Sequence, residues 1–322
     1  MMGGGPLVSI VIPNWNGLAH LPDCLDSLRA QTYPHIEVIV ADNASTDGSQ
    51  EALARDYPWV QVVALPENRG FTGACNAGMR AARGAIVILL NNDTEADPHW
   101  VEEVAAAFER HPEAGMVASK MLLFDQRDHL HTAGDLYRVD GLPVNRGVWQ
   151  PDGPEYNEER YVFSACGGSS AYRREMLDQV GLLADEFFFS MEDVDLGWRA
   201  QLAGWRCVYA PKAVVYHKLK ATGGGATASY YDGRNTLWVI ARSYPAELWR
   251  KYRWAIIRAQ GRRALAALRA WRGKEARAQL SGMLAGLLTL PRVLRQRRAI
   301  QAMRRVSIEY IESILTPVDA GG

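Results

Sequence analysis

Three short apolar runs each end abruptly in polar residues: "LVSIVIP" (7–13, followed by Asn14), "IEVIVAD" (36–42) and "AIVILLNND" (85–93). Runs this short, rich in β-branched residues and lacking polar alternation, fit strands buried on both faces of a sheet. Between the first two, Leu21, Leu25 and Leu28 recur at helical spacing. After the second, "NASTDGSQ" offers Ser45 and Thr46 as caps for another helix. "VQVVAL" (60–65) adds a strand and "TGACNAGMRAARG" (72–84) a helix ending at Gly84. Strand and helix in alternation predict a doubly wound, mostly parallel α/β sheet. Ligands of such sheets bind outside the carboxyl ends of the strands, where Asn14, Asp42 and Asp93 all fall. Further on, the spacing predicts a helix over 98–111 and a loop over 140–158.

A second pattern lies at "FFFSMEDVDLGWR" (187–199), where an aromatic run meets Glu192, Asp193 and Asp195. One reading is a helix start, with Ser190 and Asp193 as a capping box and acids suited to the helix dipole. The other is a carboxylate held as a base at the edge of an apolar pocket, with its neighbours positioning it or binding a ligand. Asp42, at a strand end, could accept from a nucleobase or ribose, or cap the next helix. Asp93 reads as an oxygen ligand for Mg²⁺ or Mn²⁺ shared with substrate phosphates, or as an Asx turn. His217 follows the apolar strand "CVYAPKAVVY" and reads either as an ordinary histidine or as the completion of that metal site.

Several chemistries lose their support. No GxGxxG follows the first strand, and Walker A, GxSxG and HExxH motifs are absent. The four cysteines, Cys24, Cys75, Cys166 and Cys207, form no CxxC pair, so reduced thiols and a cytoplasmic setting are expected. The N-terminus lacks a basic n-region, and no stretch is apolar for the eighteen or so residues that crossing a bilayer takes.

Charge divides the chain unevenly although the formal net charge is +0: residues 1–241 hold 19 Lys/Arg against 31 Asp/Glu, and residues 242–305 hold 17 against 2. In 245–305 Leu, Ile and Trp alternate with Arg at helical spacing. Such helices either pack on their own protein, possible homodimer contacts included, or lie on an anionic membrane; the second is the expectation. No nucleic-acid partner is indicated.

With "VSIVIPNWNG", "VIVADNASTDGS", "ENRGFTGACNAG", "VILLNNDTEAD", "CGGSSAYRREMLDQVGLLADEFF", "EDVDLGWRAQLAGW" and "YHK" in this order, the chain resembles the family 2 inverting glycosyltransferases of the GT-A fold, in their bacterial rhamnosyltransferase-like branch. The resemblance covers nearly all of 7–242. It implies a Rossmann-like catalytic domain over 1–242, followed by a basic helical region over 243–322. It also implies a nucleoside-diphosphate sugar donor, dTDP-rhamnose among the candidates, and a glycan or lipid-linked acceptor in cell-surface polysaccharide synthesis. Pro13, Asn14 and Asp42 would line the nucleoside pocket, with Asn68, Gly73 and Asn92 near it. Asp93 would be the last acid of the metal-binding DxD motif, Asn91 standing where the first Asp is usual, and His217 a metal-binding histidine for Mg²⁺ or Mn²⁺. Asp193 would be the catalytic base, with Glu192 at the sugar or acceptor pocket. The run Phe187 to Phe189, with Trp198, reads either as an apolar wall for the sugar or acceptor or, for the phenylalanines, as core packing. A glycoside hydrolase also works with two carboxylates but needs no nucleoside pocket. A non-catalytic carbohydrate-binding protein is the other rival, opposed by the intact Asp42, Asp93 and Asp193.

Overall fold

The computed structural model describes residues 5–219 and 224–318. Its first half is the expected alternation. Strands β1 (Val8–Asn14), β2 (Ile36–Asp42), β3 (Gln61–Ala64) and β4 (Ile86–Leu90) are parallel, in the spatial order β4-β1-β2-β3. Helices α1 (Leu21–Arg29), α2 (Ser49–Asp56) and α3 (Gly70–Ala81) make the crossovers. Side chains alternate across the pleat. Ile10, Ile12, Val38, Val40 and Ile88 therefore join a core with Leu25, Trp100 and Phe108 on one face. Val11, Ile39, Val87 and Leu89 pack with Cys75, Met79, Met176 and Leu196 on the other.

Next come β5 (Thr94–Ala96), α4 (Trp100–Arg110), β6 (Ala114–Leu123), β7 (Leu130–Thr132), β8 (Asp135–Tyr137), β9 (Pro143–Asn145), β10 (Arg160–Val162) and β11 (Ser169–Arg173). Helices α5 (Arg174–Val180) and α6 (Glu192–Ala203) precede β12 (Arg206–His217). The sheet extends as β10-β12-β6-β11 on to β4, with β11 antiparallel to both neighbours and β12 parallel to β6. β5 pairs antiparallel with β12, setting Thr94 opposite His217, and so brings the tip after β4 to the end of β12. The stretch expected as a loop at 140–158 contains one arm of the β8–β9 hairpin and a turn of 3-10 helix at Pro154–Tyr156. Its Gly and Pro residues mark those turns rather than a structureless segment.

The remaining helices are α7 (Gly225–Ser243), α8 (Ala246–Arg269), α9 (Lys274–Ala302) and α10 (Ile308–Ser313). A position between 242 and 243 thus falls at the last turn of α7. These helices share a third core with α6, built from Phe187, Trp198, Trp238, Tyr244, Val293 and Ile300 among others.

Two expected caps are replaced. α2 starts after Gly48, and Asp47 Oδ1, not Ser45 or Thr46, accepts from the amide (3.1 Å) and hydroxyl (2.5 Å) of Ser49. Ser190 caps nothing: Met191, left-handed at φ 70°, is the N-cap of α6 and no side chain bonds the first turn's amides from that position.

Candidate active site

A cleft of about 760 Å³ opens at the carboxyl ends of the parallel strands. On one side Pro13, Asn14, Trp15, Asn43, Asn68 and Gly70 line it. Asn14, at the end of β1, is the hub: its Oδ1 accepts from Asn92 Nδ2 at 2.8 Å and its Nδ2 donates to Asp42 Oδ2 at 3.0 Å. Asp42 is fully buried and does not line the cleft. Its other oxygen accepts from the Ser45 amide (3.0 Å) and Gln50 Nε2 (2.7 Å), so its carboxylate braces the β2–α2 turn and orients Asn14. The neighbouring Asn43 reaches the wall instead, donating to Asn68 Oδ1 (2.9 Å) and the Gly70 carbonyl (3.1 Å) and accepting from the Arg69 amide (2.8 Å). Gly73 lies one turn into α3 beside Arg69, outside the lining. Trp15, exposed at the mouth, had no periodic signal to mark it.

The middle of the cleft is a corner of oxygen and nitrogen donors. Asp93 Oδ1 lies 3.1 Å from His217 Nε2, and both residues are buried. His131, from β7, sets its Nδ1 3.1 Å from His217 Nδ1. Burial, and then the His217 ring, push the His131 imidazole down to about 3, so it is neutral at physiological pH. Asn91 Oδ1 is buried without a hydrogen-bond partner. Asn91 turns its Nδ2 toward His217 Nε2 at 3.5 Å. A carboxylate and an imidazole facing one space suit a divalent cation of the Mg²⁺ or Mn²⁺ type. Another set of potential ligands, Asp135, Cys166 and Asp193, has ligand atoms within 4.8 Å of one another. It suits such an ion less well, because burial drives the Cys166 thiol well up and keeps its sulfur protonated.

At the far side stands the start of α6. Asp193 Oδ2 accepts from the Gly167 amide at 2.7 Å and Oδ1 from the Val194 amide at 2.7 Å. Burial raises its carboxyl above the usual range while these amides pull it back. Glu192, 5% exposed, is pushed up to about 8 by burial and then by Asp193, and its Oε2 has no partner. Burial, then Asp193, also push Asp135 up to about 8. Asp195 turns the other way into the core, 2.9 Å from Arg199 Nε and 3.0 Å from Arg242 Nε.

The structure divides the aromatic run between the two readings. Phe188 and Phe189 line the cleft, whereas Phe187 packs against Trp238. Trp198 is 0% exposed and sits among Tyr137, Phe163 and Tyr244, because α6 turns that face to the third core. It is a core residue with no access to sugar or acceptor.

The Asn14–Asn43–Asn68 wall, the Asp93–His217 corner and the Glu192–Asp193 carboxylate pair thus share one cleft. The model of glycosyl transferase family 2 matches residues 9–181, more than half of the chain. The chain belongs to glycosyl transferase family 2. Among relatives of this family 2 enzyme, N-acetylglucosaminyl-diphospho-decaprenol L-rhamnosyltransferase of Mycobacterium tuberculosis is 28% identical over 279 residues, 78% of this chain and 89% of the relative. Of solved structures, S. aureus TarS 1-349 in complex with UDP-GlcNAc superposes with a TM-score of 0.60 at 17% identity, covering 92% of this chain and 88% of that one. Mannosyltransferase PcManGT from Pyrobaculum calidifontis, in complex with GDP-Man and Mn²⁺, gives 0.54 at 18% identity, covering 96% and 79%. The family 2 chain is a glycosyltransferase with the GT-A fold.

Proposed function

We propose that this enzyme transfers L-rhamnose, with inversion, from dTDP-rhamnose to a hydroxyl of a lipid-linked N-acetylglucosaminyl diphosphate acceptor in cell-surface polysaccharide synthesis. The observation that carries the reading is that Asp193 and the Asp93–His217 corner line the same cleft, beside the Asn14–Asn43–Asn68 wall. The sugar and the acceptor follow the activity for which the mycobacterial relative is named.

In this reading the nucleoside rests against Pro13, Asn14, Asn43 and Asn68, and the diphosphate lies toward Asp93. Asp93 and His217, with Asn91 beside them, would hold a divalent cation. When bound, such an ion offsets the charge that develops on the leaving diphosphate, so no protein acid has to protonate it. The acceptor hydroxyl attacks the anomeric carbon from the face opposite the diphosphate. Its proton passes to Asp193 as the new C–O bond forms and the C–O bond to phosphate breaks. One displacement inverts the anomeric centre. The Gly167 and Val194 amides aim both carboxylate oxygens, and the buried Glu192 beside it, protonated at neutral pH, adds no second full charge.

The C-terminal helices are read as a peripheral anchor on the anionic cytoplasmic face of a membrane. α8 and its end expose Trp254, Ile257, Leu268 and Trp271, and α9 exposes Leu284, Leu287 and Leu288, amid the arginines of a region with 17 basic and 2 acidic residues. Exposed apolar stripes flanked by cations match a bilayer interface better than a second acidic surface. Among the described residues no helix is long and apolar enough to cross a membrane.

Thermal unfolding with dTDP, UDP and GDP sugars, each with Mn²⁺, Mg²⁺ or EDTA, tests the donor, since a bound ligand raises apparent stability. dTDP-rhamnose with metal should protect best, and NMR of the product should show the inverted anomer. Protection by another nucleotide sugar alone, or sugar release without nucleotide, would overturn the assignment.

A further inference from the structure

The stretch from Phe187 to Glu192 carries the aromatic wall and leads directly into Asp193, and its backbone is held against its own preferences. Phe188 (φ 62°), Ser190 (φ 66°) and Met191 (φ 70°) are three of the six non-glycine residues at positive φ among the described residues. Such conformations persist only where the surroundings over-determine them. Here one buried amide does most of the holding. Asn235 Nδ2, from α7, donates to the carbonyls of Phe187 (3.1 Å), Phe189 (2.9 Å) and Ser190 (2.7 Å). Its neighbour Arg234 donates to the carbonyls of Glu186 and Phe187, each at 3.0 Å. Tyr231, one turn earlier, stacks on Phe188 with ring centroids 5.3 Å apart. From the opposite side the Thr72 amide donates to the Phe188 carbonyl at 3.2 Å, where a Cβ on Gly70 would come within 2.4 Å of that oxygen.

α7 is fixed in turn by α9. At their crossing a Cβ on Gly282 would lie 1.9 Å from the Tyr230 carbonyl oxygen, and one on Gly233 would lie 2.5 Å from that of Gln279. One on Gly286 would meet the Arg234 carbonyl oxygen at 3.1 Å. Only glycines let the two backbones approach so closely. The crossing sits at the level of Arg234 and Asn235.

We infer that Asn235 is a positioning residue which, seated on α9 through the glycine crossing, sets the Phe187–Glu192 loop and thereby the place of Asp193 and the aromatic wall in the cleft. The C-terminal helices are then part of the catalytic apparatus and not an appendage to it. This rests on the proposed role of Asp193, and the test separates the two.

Asn235→Ala removes the donors, and Asn235→Asp keeps the shape but turns an acceptor toward three carbonyls. Both are compared with wild type and Asp193→Asn for dTDP affinity in the presence of Mn²⁺, for transfer and hydrolysis of dTDP-rhamnose, and for hydrogen exchange of amides 187–194. The expected result for both Asn235 variants is a loss of kcat of about 10²-fold, the scale of a misplaced catalytic group. dTDP affinity should stay within a few-fold, the share of hydrolysis should rise, and exchange should speed up in the loop. Gly286→Ala, which crowds the crossing without touching the loop, should show the same split on a smaller scale. An Asn235→Ala protein with a lowered Tm but wild-type kcat per folded molecule reduces Asn235 to a stabilising residue and overturns the inference. So does unchanged kcat in Gly286→Ala if the Asn235 variants do not fold. An active Asp193→Asn beside impaired Asn235 variants removes the base and leaves the clamp; the converse removes the clamp and leaves the base.

Discussion

The backbone amide of Gly167 donates to Asp193 Oδ2 at 2.7 Å, while the Val194 amide donates to Oδ1 at the same distance. A carboxylate can satisfy both donors; an amide side chain can satisfy only one. Asp193→Asn should therefore lose transfer by about 10²–10⁴-fold, the range for a general base. It should also lose about 1 kcal/mol of stability from the frustrated amide. dTDP binding should hardly change. Turnover within a few-fold of wild type would remove Asp193 from the role of base.

Asp93→Ala and His217→Ala should each raise the Mn²⁺ concentration needed for nucleotide binding, as read by titration calorimetry. His131→Phe should do so by about 10-fold, because the ring that fixes His217 loses its polar contact while keeping its volume. Equal donor binding in EDTA and in Mn²⁺ would show that this corner does not act through a cation.

Activity and stability should respond to pH in opposite senses. Burial holds the Asp193 carboxyl above the usual range, so kcat/KM should fall as pH drops through that raised value. Glu192 and Asp135 carry protons up to about 8 in the folded state, where the unfolded chain releases them near the ordinary carboxylate value of about 4. Their contribution to stability is complete below that ordinary value and lost as pH rises through 8. Wild-type Tm should consequently decline from pH 5 to pH 9, and Glu192→Gln and Asp135→Asn should flatten the decline. Equal slopes in all three proteins would contradict the protonated state of these groups.

Trp198→Ala should destabilise the fold by about 3–5 kcal/mol, as expected for truncating a fully buried Trp. Trp198→Phe should be milder and should leave the KM for acceptor untouched. A selective rise in that KM at constant Tm would return Trp198 to the sugar pocket.

Flotation with anionic vesicles should recover the protein at low salt and lose it at high salt. Cutting the chain at Pro245 would strip α9 from α7, breaking the Arg242–Gln296 hydrogen bond of 2.9 Å, so outward-facing substitutions make the cleaner probe. Trp254→Ser combined with Leu287→Ser and Leu288→Ser should abolish flotation with Tm maintained. Undiminished flotation, or a dimer that the triple variant splits, would assign this face to another partner.

Strand tips were the most legible part of the site. Asn14, Asp93 and His217 each end an apolar run, and the sheet carries all three to one edge. Asp42 ends such a run as well, yet period alone does not tell a carboxylate that faces a ligand from one that accepts from Ser45, Gln50 and Asn14. Trp198 shows the same limit on a helix, where its nearness to Asp193 in sequence says nothing of which side faces the core. His131 and Asp135 lie on strands of three residues, too short for alternation to register. Asn235 left no local sign, since its three carbonyl partners lie more than forty positions upstream.

The pairing of β5 with β12 also works as a length gauge. Thr94 opposes His217, so a single residue gained or lost between Val214 and His217 would turn the imidazole to the other side of the sheet with every site residue still present. Upstream, β12 breaks step with β6 between Ala210 and Val214. That irregularity is where the chain can absorb a change in length without rotating the last turns of the strand toward the wrong face. Members of the family with different spacing before the histidine should therefore place their insertions and deletions there, and two chains that disagree in residue count over this strand can still bring the same imidazole to the same corner of the cleft.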